Sequence, residues 1–201
     1  MAVYFHGSSV LFEKFSLEHA LEGDGKAKFG YGVYVAGTYE SAAHYAFNKK
    51  RPDNKDYYVY TVEVPDYNED NCLSLLKEQP VAESIVRRAE EKLGESIPAE
   101  TKVEGKFFRK YLANRVTGNT KSVNKMIDKA TVEGEMAASA FLKDIGVELI
   151  RWPHSWSNPE GEMNLAVLDE AKVRIVKIEK VELDPEKHQL IPGSEKLIKK
   201  F

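Results

Sequence analysis

Two glycines and two tyrosines in KFGYGVYVAGTYESAAHYA (28–46) have the types and spacing to hold a flat ligand. Glycine serves where backbone must approach a ligand or adopt a positive φ, and Gly30 and Gly32 flank one tyrosine just ahead of an apolar strand. Tyr34 sits on that strand. Tyr45 follows after ten intervening residues, about two turns into the helix that opens at Thr38. A strand, turn and helix in that order can set two rings face to face, leaving a slot for a planar heteroaromatic. Stacking of this kind is worth about 1–3 kcal/mol per face. The same spacing also describes two core tyrosines whose hydroxyls reach the surface.

The elements that must carry these residues are legible in outline. AVYFHGS reads as a short strand ending in a Gly-Ser turn, and Ser16 caps a short helix that dissolves into a glycine-bearing loop. GVYVAG is an apolar strand, and Thr38 is a good N-cap for TYESAAHYAFNKK. YYVYTVEVP alternates and is closed by Pro65, which predicts a strand. The middle differs. VAESIVRRAEEKLG carries Ala82, Ile85, Val86, Ala89 and Leu93 at helical spacing before Gly94. GKFFRKYLANRVTG repeats the idea with Phe107, Phe108, Tyr111, Leu112 and Val116, and SVNKMIDKATVEGEMAASAFLKDIG predicts one or two further helices stopped at Gly146. VELIRWP, MNLAVLD and VRIVKIEKVEL then read as strands, SWSNPEGE as a loop, and the tail after Pro185 as loosely held. The expected fold class is α+β: one domain over 1–201, its mostly antiparallel sheet interrupted by a helical insertion at about 75–132.

Bulk composition narrows the setting. With 201 residues, 42% hydrophobic and 30% charged, the chain can bury a core. MAVYFHGSSVLF lacks a basic n-region, and no apolar run approaches the roughly 20 residues of a membrane span. A cytoplasmic location, or delivery into a cytoplasm, is expected, with no membrane partner. The single cysteine, Cys72, excludes an intrachain disulfide and a multi-cysteine zinc site. His19, His44, His154 and His188 stand in no metal-ligand spacing and read as surface or packing residues.

YFHGSS supplies His6, Gly7 and Ser8 on the first strand, and FGYGVYVAGTYESAAHYA supplies Tyr-x10-Tyr in a Gly-x-Gly-x-Tyr setting. In that order they resemble the ADP-ribosyltransferase superfamily, on its diphtheria-toxin and poly(ADP-ribose)-polymerase side. Residues 6–37 are more narrowly similar to ADP-ribosyltransferase-like domains of bacterial and phage polyvalent proteins, and MNLAVLDEAKVRIVKI resembles their closing strand. The resemblance covers residues 3–64 well and 134–180 more loosely, and leaves the helical middle unaccounted for. It implies a split-sheet core that takes NAD as co-substrate. Tyr34 and Tyr45 would sandwich the nicotinamide ring. Gly7 backbone groups would hold its carboxamide, with Ser8 beside them. His6 would hydrogen-bond the adenosine ribose, which imidazole suits because it both donates and accepts. Read alone, His6 is also a satisfied strand histidine; Gly7, Ser8 and their order relative to the tyrosines favour the functional reading.

Two departures bear on mechanism. Ala42 stands where polymerase-like members carry a serine on the carboxamide, and Ser41 beside it would point elsewhere on a helix. The superfamily's catalytic glutamate, counted back from Asp169, falls on Asn164. That glutamate stabilises positive charge as nicotinamide leaves, a role that rewards a full negative charge. Glu160-Gly161-Glu162 has the Glu-x-Glu form of the arginine-modifying branch, and Glu162 shares a face with Asn164 if the strand starts early. Glu133-Gly134-Glu135 matches that form equally well. Asn164 and Glu162 are therefore the two catalytic candidates. Single ADP-ribose transfer to a macromolecular acceptor is the expectation, and a weak or inactive NAD-binding or ADP-ribose-binding module is its rival.

One charge feature stands apart. Between Lys102 and Lys129, eight basic residues face two acidic ones, a local +6 in a chain of −3. Lys121, Lys125 and Lys129 share one helix face. The segment reads as a docking surface for an anionic partner, protein or nucleic acid, or as a solvated face.

Overall fold

A computed structural model describes residues 1–21, 27–47, 53–118 and 129–201. Among the described residues eight strands form two four-stranded sheets. The first sheet has the order β1 (Ala2–Ser8), β3 (Tyr57–Val64), β7 (Arg174–Val181), β8 (Lys196–Lys200), all antiparallel. The second runs β2 (Val33–Val35), β6 (Asn158–Val167), β5 (Leu149–Ser155), β4 (Cys72–Ser74), with only the β4–β5 pair parallel. The chain is thus α+β with mostly antiparallel sheets.

The alternating β3 pattern explains the layering. Tyr60, Val62 and Val64 face the second sheet and share an apolar cluster with Val33, Val35, Leu149, Leu165 and Val167. Tyr57 and Val59 point the opposite way, against α1 (Tyr39–Ala46), where Ala42, Ala43 and Ala46 are buried. Three more helices, α2 (Glu83–Leu93), α3 (Gly105–Thr117) and α4 (Lys129–Asp144), fall between β4 and β5. They bury Ile85, Phe108, Leu112 and Leu142 against Ile150, Trp152 and Ala166 on the outer face of the second sheet. Helices end where glycine takes a positive φ, at Gly94 (71°) and near Gly146 (84°).

Two expectations need correction, and one strand went unread. SWSNPEGE is mostly strand, because β6 begins at Asn158. The tail after Pro185 includes β8, hydrogen-bonded to β7. Cys72–Ser74 forms β4, a strand too short to carry a pattern of its own. Among the described residues no helix is long and apolar enough to cross a membrane.

Candidate functional site

The site begins where β1 and β2 part. Phe5 N–H donates to Ala36 O at 3.0 Å, and Ala36 N–H returns a bond to Phe5 O at 2.7 Å. Backbone groups two residues apart on a strand leave from the same edge, so Gly7 presents its N–H and C=O to the edge that Ala36 occupies one step earlier. There the chain turns through Gly37 into α1, and among the described residues no strand continues alongside. Gly7 must be glycine for another reason too: a Cβ there would lie 1.8 Å from Ala42 O and 2.7 Å from Ala46 N. Helix α1 rests directly on that position, which accounts for Ala42 as well. Ala42 is fully buried in this contact. Ser8 accepts a hydrogen bond from Val10 N–H at 3.0 Å, closing the turn after β1.

His6 faces the inter-sheet space, opposite Tyr60, with its ring edge-on to Phe12, Phe15 and Tyr60. Its Nδ1 lies 2.7 Å from Tyr34 O. Burial holds the imidazole below its usual pKa, the carbonyl contact opposing this more weakly. A neutral ring must then donate Nδ1–H to that carbonyl and keep its Nε2 lone pair as an acceptor.

Tyr34 is half-buried and closed into the protein. Its hydroxyl accepts from Phe29 N–H at 2.9 Å and donates to Gly30 O at 3.0 Å. Its ring meets Trp152 at 5.1 Å, and Trp152 stacks on Phe29 at 4.5 Å. Burial raises its phenol well above the ordinary value. The glycines expected to clear space for a ligand instead clear space for protein. A Cβ at Gly30, whose φ is +110°, would meet Ile150 Cδ1 at 2.6 Å, and one at Gly32 would meet Val167 O at 2.6 Å.

Tyr45 differs. It is 51% exposed on α1, with its hydroxyl 3.3 Å from His154 Nδ1. Burial of the hydroxyl end and the Glu162 charge raise its pKa, and the Asn164 amide beside it draws it back. No ring contact joins Tyr34 to Tyr45 among the described residues. They are linked through β5, where Trp152 meets one ring and His154 meets the other.

Asn164 pairs with Trp152 across β5–β6 and is only 4% exposed. Its Oδ1 reaches no donor among the described residues. A buried oxygen in that state costs about 1–3 kcal/mol, so the position is poor for stability and suited to an incoming hydroxyl or amide. Glu162, two residues back on the same strand face, accepts from Thr38 N–H at 3.1 Å and from the Ser41 hydroxyl at 3.0 Å. Its carboxylate sits at the N-terminus of α1, where the helix dipole favours negative charge. Ser41 therefore points toward β6, on a different side of α1 from the buried Ala42. Glu160 is exposed. The alternative Glu-x-Glu is structural: Glu135 is buried and pairs with Arg109 Nε at 2.8 Å.

Sequence reasoning missed Trp152 and His154. RWPHSW gives no local sign of them, since only the register of β5 against β6 sets Trp152 opposite Asn164 and only the fold brings His154 to Tyr45. Two surface concavities, about 250 and 650 Å³, are lined by none of Tyr34, Tyr45, Glu162 or Asn164.

Three of the five cations of the basic segment whose side chains are described form ion pairs. Lys102 pairs with Glu90 at 2.8 Å, Arg109 with buried Glu135, and Arg115 with Glu95. Phe108 is core. Lys121 and Lys125 lie outside the described residues, as does the Lys129 side chain.

No protein-family model matches the chain, and no curated protein or solved structure matches it.

Proposed function

We propose that the chain binds NAD on an ADP-ribosyltransferase-like split-sheet core and transfers a single ADP-ribose to a macromolecular acceptor. Asn164 and Glu162 divide the work of one glutamate. The observation that carries this reading is the buried Asn164 Oδ1 without a donor, set beside the Tyr45 hydroxyl and on the strand face of Glu162. A ribose hydroxyl is the donor that oxygen lacks. The amide orients the sugar but brings no charge. Glu162 brings the charge, already fixed by Thr38 and Ser41, so it need not reorganise when positive charge develops on the sugar.

The residues fit NAD on three further counts. Gly7 offers a backbone donor and acceptor at a strand edge, as a carboxamide requires. His6 keeps an acceptor nitrogen for a ribose hydroxyl. Tyr45, exposed on its helix, can close over a ring that rests against the rigid Tyr34–Trp152–Phe29 wall. NAD supplies the glycosidic bond that breaks.

A module that binds NAD or ADP-ribose without turnover is the second reading, favoured by one observation. Both Glu162 oxygens are already engaged at the start of α1. Nicotinamide release from NAD, followed by chromatography with and without lysate as acceptor, separates the two. Release lost in Glu162→Gln and in His6→Ala supports transfer. Binding without release supports the module, and absence of both binding and release refutes the two together.

A further inference from the structure

We infer that the cleft between β4, β5 and the start of α2 is a binding site for a small oxyanion, a phosphate or carboxylate group, held by Arg151 and Gln79. The site stands independently of the proposed NAD chemistry: Arg151 and Trp152 are consecutive on β5, so their side chains leave opposite faces of the second sheet.

Donors and acceptors are unevenly matched in this concavity of about 250 Å³. Arg151, half-buried on β5, lies with its guanidinium 4.5 Å over the Tyr67 ring. Its Nε donates to Ser74 Oγ at 3.3 Å and one terminal nitrogen reaches Gln79 Oε1 at 3.5 Å. Ser74 donates its own hydroxyl hydrogen to the same Gln79 oxygen at 2.6 Å. Arginine can only donate, so the amide oxygen of Gln79 must face this pair and its NH2 must face away. Ser74 Oγ also accepts from Leu76 N–H at 3.4 Å.

The acceptors of this cluster are thus taken, and the groups in surplus are all donors: the second guanidinium nitrogen and the Gln79 NH2. No carboxylate forms an ion pair with Arg151 among the described residues, and Glu69 on the rim is exposed. A cation with surplus donors, fixed by stacking and by a serine, is completed by an acceptor-rich anion. Planar guanidinium suits carboxylate and phosphate because it binds two of their oxygens at once. The rim also includes Ala82, the N-cap of α2, which offers that helix no side-chain acceptor.

The test is a titration of the whole chain, labelled with nitrogen-15, with inorganic phosphate and separately with succinate, against chloride at equal ionic strength. Arg151 Nε–H and the Gln79 NH2 are followed by NMR. The expected result is saturable shifts of both signals with at least one oxyanion and none with chloride, the two arms ranking phosphate against carboxylate. Arg151→Gln should weaken that binding about tenfold or more. Gln79→Glu places a carboxylate against Arg151, so it should abolish binding while leaving the fold intact. Shifts that match chloride, or saturable shifts that survive both substitutions, would overturn the site.

Discussion

Asn164→Leu should make the protein more stable and less able to bind NAD. Leucine has the same branching and heavy-atom count as asparagine, so it can occupy the buried position on β6 without a cavity. Removing an oxygen that has no donor recovers about 2 kcal/mol, the middle of the usual range, and losing the amide contact to Tyr45 gives back about 1 kcal/mol. The net gain of about 1 kcal/mol corresponds to roughly 2–4 °C in Tm for a chain of this size. Apolar burial of the leucine adds to that figure. The assay is calorimetric unfolding without ligand, paired with an NAD titration of the same preparation. A higher Tm with NAD affinity lost fits an oxygen kept for a ligand. A lower Tm with NAD affinity unchanged would refute the reasoning, because the asparagine would then be serving the fold.

Other perturbations reach different parts of the structure. Gly7→Ala forces a methyl into the α1 backbone, and overpacking of this kind costs about 1–3 kcal/mol or more; chemical denaturation measures it, and a change below about 0.5 kcal/mol would mean α1 does not rest on β1 as described. His6 is held below its usual pKa by burial, so the unfolded chain takes up its proton first as pH falls. Stability linked to this residue is complete above about pH 6.5 and is lost below it, down to the folded value. Denaturation midpoints across pH should therefore slope in the wild type and flatten in that window in His6→Gln. Arg109→Met strands Glu135 in the α3–α4 interface and should cost about 3–5 kcal/mol, most of which Glu135→Leu should restore in the double variant. Thermal unfolding of the single and double variants tests that recovery.

The local grammar of the chain was readable where neighbours in sequence are neighbours in space. Thr38 does cap α1, its hydroxyl accepting from Ser41 N–H, and Ser16 caps a short 3-10 turn at Leu17–His19. The alternation of β3 and the stop at Gly94 follow the same logic. What the sequence hid depends on register and on distant partners. Gly30 and Gly32 look like ligand glycines until Ile150 and Val167 arrive against them from β5 and β6. The cations at Lys102, Arg109 and Arg115 read as part of a basic run, and their ion pairs with Glu90, Glu135 and Glu95, 12 to 26 residues away, appear only in the fold. Conversely, Glu162 was visible as a charge, but its anchoring by Thr38 and Ser41 appears only when β6 is laid beside α1. Asn164 could be placed by counting along the strand, whereas its lack of a donor is a property of packing alone.

A calorimetric titration of NAD into the wild type and into Tyr45→Ala tests the proposed slot most directly, since Tyr45 is exposed and its removal leaves the core untouched. Saturable binding in the wild type, weakened about tenfold or more by the loss of one stacking face, is the predicted result. Equal affinity in the two proteins, or no binding in either, would contradict it.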